Sequence, residues 1–378
     1  MNRILCVTAF KPNNNTAGQA FTLRLIKDIA QDHLVDLCFF HDSQTTPDVT
    51  LTNVKVLFAE RLTFFRRILG TISVPFMHPL FTSRFSVKKL LYLRSIAHNY
   101  DAIYFDFSQI FIYTLFIKHH NKIALAHDIV TQMYERRTEI LARFHTLFSK
   151  FSERVLIKGL GARLYCFSEK DCKLVDTYFG AYAGKVDFYL DERIYEIKLD
   201  KVIQHNKFVF YGAWSRRENS SGLLWFITNV LPLLDANCRF VIIGSGVNEE
   251  VRKAAQVFGD AVEFSGFVDN PYEILAGARA LVAPLFEGAG VKVKVLEALA
   301  CGTPIIGTEI SFEGIDVKLL VHCHICTNAA AFANTLNTLM NRDRQQARAA
   351  FLADYPRNTI GDILRMVCHE SPIHQRNR

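Results

Sequence analysis

Two doubly wound α/β domains are predicted for this 378-residue chain by three observations. Short apolar runs alternate with segments of helical period almost throughout, the pattern of strand, crossover helix and parallel strand. The alternation falls into two series, separated by mixed, weakly patterned residues near 185–205. The length suits two domains of roughly 100 to 200 residues, each able to bury its own core. With 50% apolar and 21% charged residues, 19 Gly and 10 Pro, the composition excludes disorder, collagen and a simple coiled coil.

In the first series Ile4 to Ala9 reads as a strand, Asn13 to Gly18 as a polar loop, Phe21 to Ala30 as a helix and Val35 to Phe40 as the next strand. Strands follow at Val54 to Phe58, Ala102 to Phe105, Ile123 to Ala126 and Leu164 to Phe167. The second series places them at Phe208 to Tyr211, Phe240 to Ile243, Val262 to Phe264, Ala280 to Ala283, Pro304 to Gly307 and Leu319 to His322. The expected domains are 1–190 and 206–355, with a helix over 356–370 packing back on the first and a polar, disordered tail over 371–378. In such sheets ligands lie beyond the carboxyl ends of the strands, so a cleft between two facing domains is the expected site.

The net charge of +7 suits an anionic ligand, nucleic acid or an anionic membrane surface, and does not choose among them. Nine Cys without framework spacing point to a reducing compartment. Arg3 is followed by seven uncharged residues before Lys11, which reads as a first strand and not a signal peptide. The most apolar stretch, Ile110 to Ile117, is too short to span a bilayer.

The most informative segment runs from Pro284 to Pro304: strand end, glycine turn, helix, Gly302 at the helix C-terminus and Pro304 opening the next strand. Lys292 and Lys294 fall in the first turn of that helix, where free amides and the helix dipole favour anions over cations. A phosphate on the helix N-terminus removes the conflict, and Gly288 and Gly290 allow its close approach. Glu297, about one and a half turns on, then reaches toward the sugar of a nucleotide. Read alone, the segment also fits a solvated basic turn with Glu297 ion-paired to Lys294. Arg216 and Arg217, in the loop after the strand Phe208 to Tyr211, would project over the same sheet edge, where guanidinium groups match phosphate. Each also fits a solvated surface arginine.

With these segments in order, the second half resembles the donor-binding domain of glycosyltransferase family 4, retaining group 1 glycosyl transferases of the GT-B fold with two Rossmann-like domains. The resemblance rests on Tyr211-Gly-Ala-Trp through Asn219, Trp225-Phe to Leu231-Pro, Val241-Ile-Ile-Gly-Ser-Gly and Val262-Glu-Phe-Ser-Gly-Phe-Val-Asp. It continues through Ala283-Pro-Leu, Gly288 to Pro304 and Thr308-Glu-Ile-Ser-Phe-Glu-Gly-Ile, covering about residues 208 to 316. The first half is more weakly similar to the acceptor domain through Ile4 to Thr8, Pro12, Gly18, Ala126-His-Asp and Cys166-Phe-Ser-Glu-Lys-Asp.

The resemblance implies transfer of a sugar from a nucleotide diphosphate sugar to a saccharide or lipid-linked acceptor, with retained configuration, no metal and no cofactor. It implies donor-binding roles for Gly18, Gly212, Arg216, Arg217, Gly244, Glu287, Gly288, Gly290, Val291 and Glu297. Catalytic roles fall to His127, Lys292, Lys294 and Glu297, and acceptor contacts to His127 and Asp128. Departures stand beside it: the family's glutamate pair places its first member at Ala289, two places after Glu287. Glu218-Asn219 stands where many members carry Lys-Gly, and Val186 to Asp191 where many carry Asn-Gly-Val-Asp. A sugar-nucleotide epimerase or phosphorylase, or a non-catalytic transferase-like binding subunit, shares the same scaffold.

His127-Asp128 also fits a turn or helix cap, Ser168 with Asp171 a capping box, and Gly18 a plain turn. Gly244-Ser-Gly246 lacks the third glycine of a dinucleotide loop. On an extended Leu319 to Cys326, Cys323 and Cys326 would point to opposite faces, against a metal site. Residues 61–94 hold seven Lys or Arg (61, 66, 67, 84, 88, 89 and 94), no acid, and Phe64, Phe65, Phe76, Phe81 and Phe85. This fits an anionic membrane surface, giving a cytoplasmic protein peripheral on the inner face of the cell membrane. It equally fits a solvated basic helix pair with phenylalanines in the core. Nucleic acid is not expected, since no recognition module accompanies the charge.

Overall fold

The computed structural model describes residues 1–44, 49–136, 141–198, 204–235, 237–340 and 343–369. The expected tail over 371–378, and part of the expected junction, lie outside the described residues. The chain divides into two compact units, Met1–Tyr189 together with the chain from Arg357, and Leu190–Pro356.

The first unit runs β1 (Arg3–Thr8), α1 (Ala17–Ile29), β2 (Leu34–His41), β3 (Val54–Arg61), α2 (Phe64–Ser73), α3 (Pro79–Thr82), α4 (Val87–Ile96) and β4 (Ala102–Asp106). It continues with β5 (Lys122–Ala126), α5 (Val130–Glu135), α6 (Ala142–Gly159), β6 (Arg163–Cys166), α7 (Glu169–Phe179) and β7 (Gly184–Lys185). The second unit contains α8 (Glu192–Tyr195), β8 (Gln204–Tyr211), α9 (Arg217–Asn229), β9 (Arg239–Ile243), α10 (Glu249–Gln256), β10 (Val262–Gly266) and α11 (Tyr272–Gly277). After these come β11 (Ala278–Ala283), α12 (Val293–Ala300), β12 (Ile305–Gly307), β13 (Cys323–Ile325), α13 (Ala329–Thr338) and α14 (Arg344–Asp354), and then α15 (Ile360–His369) in the first unit.

Both sheets are parallel, in the orders β3-β2-β1-β4-β5-β6-β7 and β10-β9-β8-β11-β12-β13. The apolar runs read as strands are continuous and not alternating because central parallel strands are covered on both faces. Ile4, Leu5, Cys6 and Val7 of β1 are all fully buried, as are Phe208 and Val209 of β8. In each sheet the order reverses between the first and fourth strands, β1 and β4 in one unit and β8 and β11 in the other. Loops leaving such neighbours diverge and open a crevice at their carboxyl ends.

Local signals act as their chemistry requires. The Thr16 hydroxyl accepts from Gln19 N–H at the start of α1, and Ser168 accepts from Asp171 N–H while donating to its carboxylate, the expected capping box. Two readings differ. The last strand is Cys323–Ile325, and Val317–Leu319 forms a short 3-10 turn, since Asp316 caps that turn by accepting from Lys318 N–H. Cys326 therefore lies beyond the strand. β7 was not read as a strand because two residues leave no periodicity. The expected C-terminal helix is α15, in the first unit: Arg365 binds Asp28 and Asp32, and Gly361 N–H donates to the Tyr189 hydroxyl.

Candidate functional site

In the second unit, the loops after β8, β9 and β11 meet at the crevice. Gly212 N–H and the Trp214 indole both donate to the Ile243 carbonyl, and Trp214 N–H donates to Ser245, tying the first loop to the second. Gly244 N–H donates to Gly266, so the second loop is fixed in turn. The third loop abuts α9: a Cβ on Gly222 would fall 1.9 Å from the Pro284 carbonyl oxygen, an approach open to glycine alone. Gly288 and Gly290 turn this loop with φ of +115° and +66°, conformations L side chains rarely adopt.

Lys292 caps α12 instead of lying inside its first turn, and its Nζ curls back to the carbonyls of Ala289 (3.2 Å) and Gly290 (2.6 Å). Lys294, half-buried, reaches across to Asn219, donating to Oδ1 at 2.9 Å, while Asn219 Nδ2 donates to the Ala213 carbonyl. The bare face of Gly212 leaves room for this ammonium, only 3.6 Å from where a Cβ would stand. Burial, followed by the charge of Lys292, lowers the Lys294 pKa to about 7; Arg216 pushes the same way and Glu218 opposes. Three cations thus crowd one corner rimmed by glycines.

Glu297 does not pair with Lys294 on the helix surface. It is buried, and its Oε1 accepts from the Tyr272 hydroxyl at 3.1 Å. Tyr272, on α11, was missed from sequence; the need of a buried acid for a donor is the only signal that points to it. The arginines also differ from expectation: Arg216 stands 3.6 Å from Glu218, and Arg217 3.4 Å from Glu287. Solvent-exposed guanidiniums find the nearest carboxylates, and such exposed pairs are weak enough to exchange for a stronger anion. Val291 lies half-buried in the same loop. Gly212, Arg216 and Arg217, and Glu287, Gly288, Gly290, Lys292 and Lys294, are thereby gathered on two neighbouring loops and the helix starts that follow them, with Gly244 on the loop after β9 and Glu297 behind.

In the first unit, His127 follows β5 and its Nε2 lies 2.8 Å from Asp106 Oδ1. Asp106 is fully buried and also accepts from Tyr104, Thr8 and Thr22. This network was not visible in sequence, where Asp106 is one polar residue ending an apolar strand. The imidazole stacks on Phe107 at 3.7 Å, and Phe107 holds an unusual φ of +72°. A Cβ at Gly18 would stand 3.0 Å from the Phe107 ring and 3.3 Å from His127 Nδ1, so Gly18 fits the aromatic pair closely. Asp128 is exposed, and it is not the cap of α5: the buried Glu153 carboxylate accepts from Val130 and Thr131 N–H.

Residues 61–94 combine the two readings made of them. Phe81 and Phe85 are core residues, whereas Phe64, Phe65 and Phe76 are exposed. Arg66 and Lys89 both bind Glu60, Arg67 binds Asp42, and Arg84 is buried against the Phe10 ring. Acids outside the segment, unseen in its own composition, take up these charges. Among the described residues no helix is long and apolar enough to cross a membrane.

Residues 205–342 match the family of group 1 glycosyl transferases. A Klebsiella pneumoniae protein described as an uncharacterized 44.6 kDa protein in cps region is 29% identical over 131 residues, 32% of this chain and 34% of that protein. The chain thus spans about a third of the length of the curated relative it matches. Among solved structures, Anabaena Alr3699/HepE in complex with UDP is 14% identical with a TM-score of 0.65, covering 98% of this chain and 99% of that one. WaaG, a glycosyltransferase involved in lipopolysaccharide biosynthesis, is 12% identical with a TM-score of 0.65, covering 92% and 93%. At these identities the likeness shows the fold, which is the expected α/β GT-B class. The group 1 resemblance read over residues 208 to 316 is borne out by the family match; membership of family 4 is consistent with it.

Proposed function

We propose that the chain is a glycosyltransferase that takes a nucleotide diphosphate sugar and glycosylates a saccharide or lipid-linked saccharide in surface polysaccharide assembly. The observation that carries this reading is the corner around Lys294: a desolvated ammonium beside a glycine turn and a helix N-terminus, with a buried carboxylate one turn further on. A bound diphosphate relieves the like-charge crowding of Lys292, Lys294 and Arg216, and Glu297 takes the ribose hydroxyls. The group 1 match supports the reaction class, HepE in complex with UDP supports the ligand, and WaaG and the cps-region relative support the setting.

In the mechanism proposed, configuration is retained and the fixed cations stabilise the departing diphosphate, the task a metal ion has in other transferases. Arg216 and Arg217 leave Glu218 and Glu287 for the phosphates, and Glu287 approaches the donor sugar. His127, its ring held by Asp106 and Phe107, serves the acceptor side with Asp128, and Gly18 serves the donor. The exposed face of α2, with Arg61, Lys88 and Arg94, rests on the inner membrane surface where a lipid-linked acceptor resides.

The test is incubation with UDP, GDP, ADP and CMP sugars and lipid extracts, followed by mass spectrometry of the products. A glycosylated acceptor is expected, and Lys294→Ala and Glu297→Ala are each expected to weaken nucleotide affinity at least tenfold, about 1.4 kcal/mol. An altered nucleotide sugar without acceptor would point to the epimerase or phosphorylase reading, and absence of nucleotide binding to a non-catalytic subunit.

A further inference from the structure

The outward face of α6 combines apolar and cationic side chains in a way that neither the site nor the core uses. Phe144, Leu147, Phe151 and Val155 recur at helical spacing and are between 40% and 71% exposed. Arg143, Arg154 and Lys158 are exposed on the same side, and the helix geometry of 3.6 residues per turn places all seven within an arc of roughly 120°. None of the three cations meets a carboxylate at ion-pair distance among the described residues. Between residues 141 and 160 the one acid is Glu153, which turns inward to cap α5. We propose that this face docks on an anionic lipid bilayer.

Charge selects the partner. Apolar side chains edged by exposed cations fit an interface that offers acyl chains beneath a plane of negative head groups. A second copy meeting this face across a two-fold axis would oppose the same three cations to one another. Nucleic acid gives Leu147 and Val155 nothing to bury against. The proposal takes its partner from the membrane reading of α2, but stands on another helix and other charges. In 61–94, Arg66, Arg67, Arg84 and Lys89 are taken up by acids or burial, whereas those of α6 are exposed and meet no acid among the described residues. The two helices are linked through residues 74–78: His78 N–H donates to Ser152 Oγ at 2.8 Å, and His78 Nε2 lies 3.1 Å from His145 Nδ1.

Vesicle co-sedimentation of the full chain tests this, with phosphatidylcholine alone and with phosphatidylcholine containing phosphatidylglycerol, at low and high salt. The wild type is expected to prefer the anionic vesicles and to lose binding with salt. Phe144→Ser/Leu147→Ser/Phe151→Ser and Arg143→Gln/Arg154→Gln/Lys158→Gln are each expected to bind roughly tenfold more weakly, with nucleoside diphosphate binding unchanged. The second variant alters exposed charges only and serves if the first does not fold. Wild-type affinity in both, no anionic preference in the wild type, or a dimer that the apolar variant splits without loss of vesicle binding would overturn the proposal. Loss confined to Phe64→Ser/Phe65→Ser would leave α2 as the docking helix and overturn the role of α6. Vesicle binding without nucleotide binding would sink the transferase reading and leave this one standing.

Discussion

With its pKa lowered to about 7 by burial and by Lys292, the Lys294 amine of the free protein is largely neutral at pH 8. A diphosphate placed against it favours the charged form and moves the pKa back toward 10.5, so binding between those limits takes up a proton. Affinity for a nucleoside diphosphate is therefore expected to fall as pH rises above 7, approaching tenfold per pH unit at most. Calorimetry at pH 8 in two buffers of different ionisation enthalpy measures the uptake. Lys294→Met should bind more weakly and show no uptake, whereas uptake of equal size in that variant would place the titrating group elsewhere. The same depressed pKa acts on stability with the corresponding sign. The unfolded chain holds more protons between about pH 7 and 10.5, so the penalty of burying this amine shrinks as pH rises through that window.

At the scale of elements, the site depends on how closely α9 approaches the loop between β11 and α12. Gly222→Ala drives a methyl into the Pro284 carbonyl and should cost about 1 to 3 kcal/mol, with a lower Tm and weaker nucleotide binding. Gly277→Ala, where nothing lies within 4 Å, is the comparison and should leave binding unchanged. Equal effects of the two changes would show that the close packing of α9 is unimportant. The approach was not legible beforehand, since Gly222 reads as an ordinary helix residue until the Pro284 loop lies across it. What was legible were the strands, because burial on both faces writes each as an unbroken apolar run, and the Pro284 to Pro304 unit, because its turn and caps are local chemistry. Contacts between distant segments were not: Tyr272 with Glu297, Asp106 with His127, and the acids Glu60 and Asp42 that take up cations of 61–94.

For the whole molecule, two repetitions of one strand order bring polar loops to the carboxyl edge of each sheet, and the two edges carry different chemistry. One holds a buried carboxylate orienting a histidine against aromatic rings; the other holds crowded cations over glycines. The alternating pattern and length implied two such units, with the last helix returning to the first; the contacts that hold α15 there, Arg365 with Asp28 and Asp32 some 330 residues upstream, lie beyond any local signal. The central claim is that the second edge receives the diphosphate. A crystal soaked with a sugar nucleotide tests it most directly. The account predicts phosphate oxygens within hydrogen-bond distance of Lys294 Nζ and the ribose hydroxyls on Glu297. An empty corner with the nucleotide bound elsewhere would contradict it.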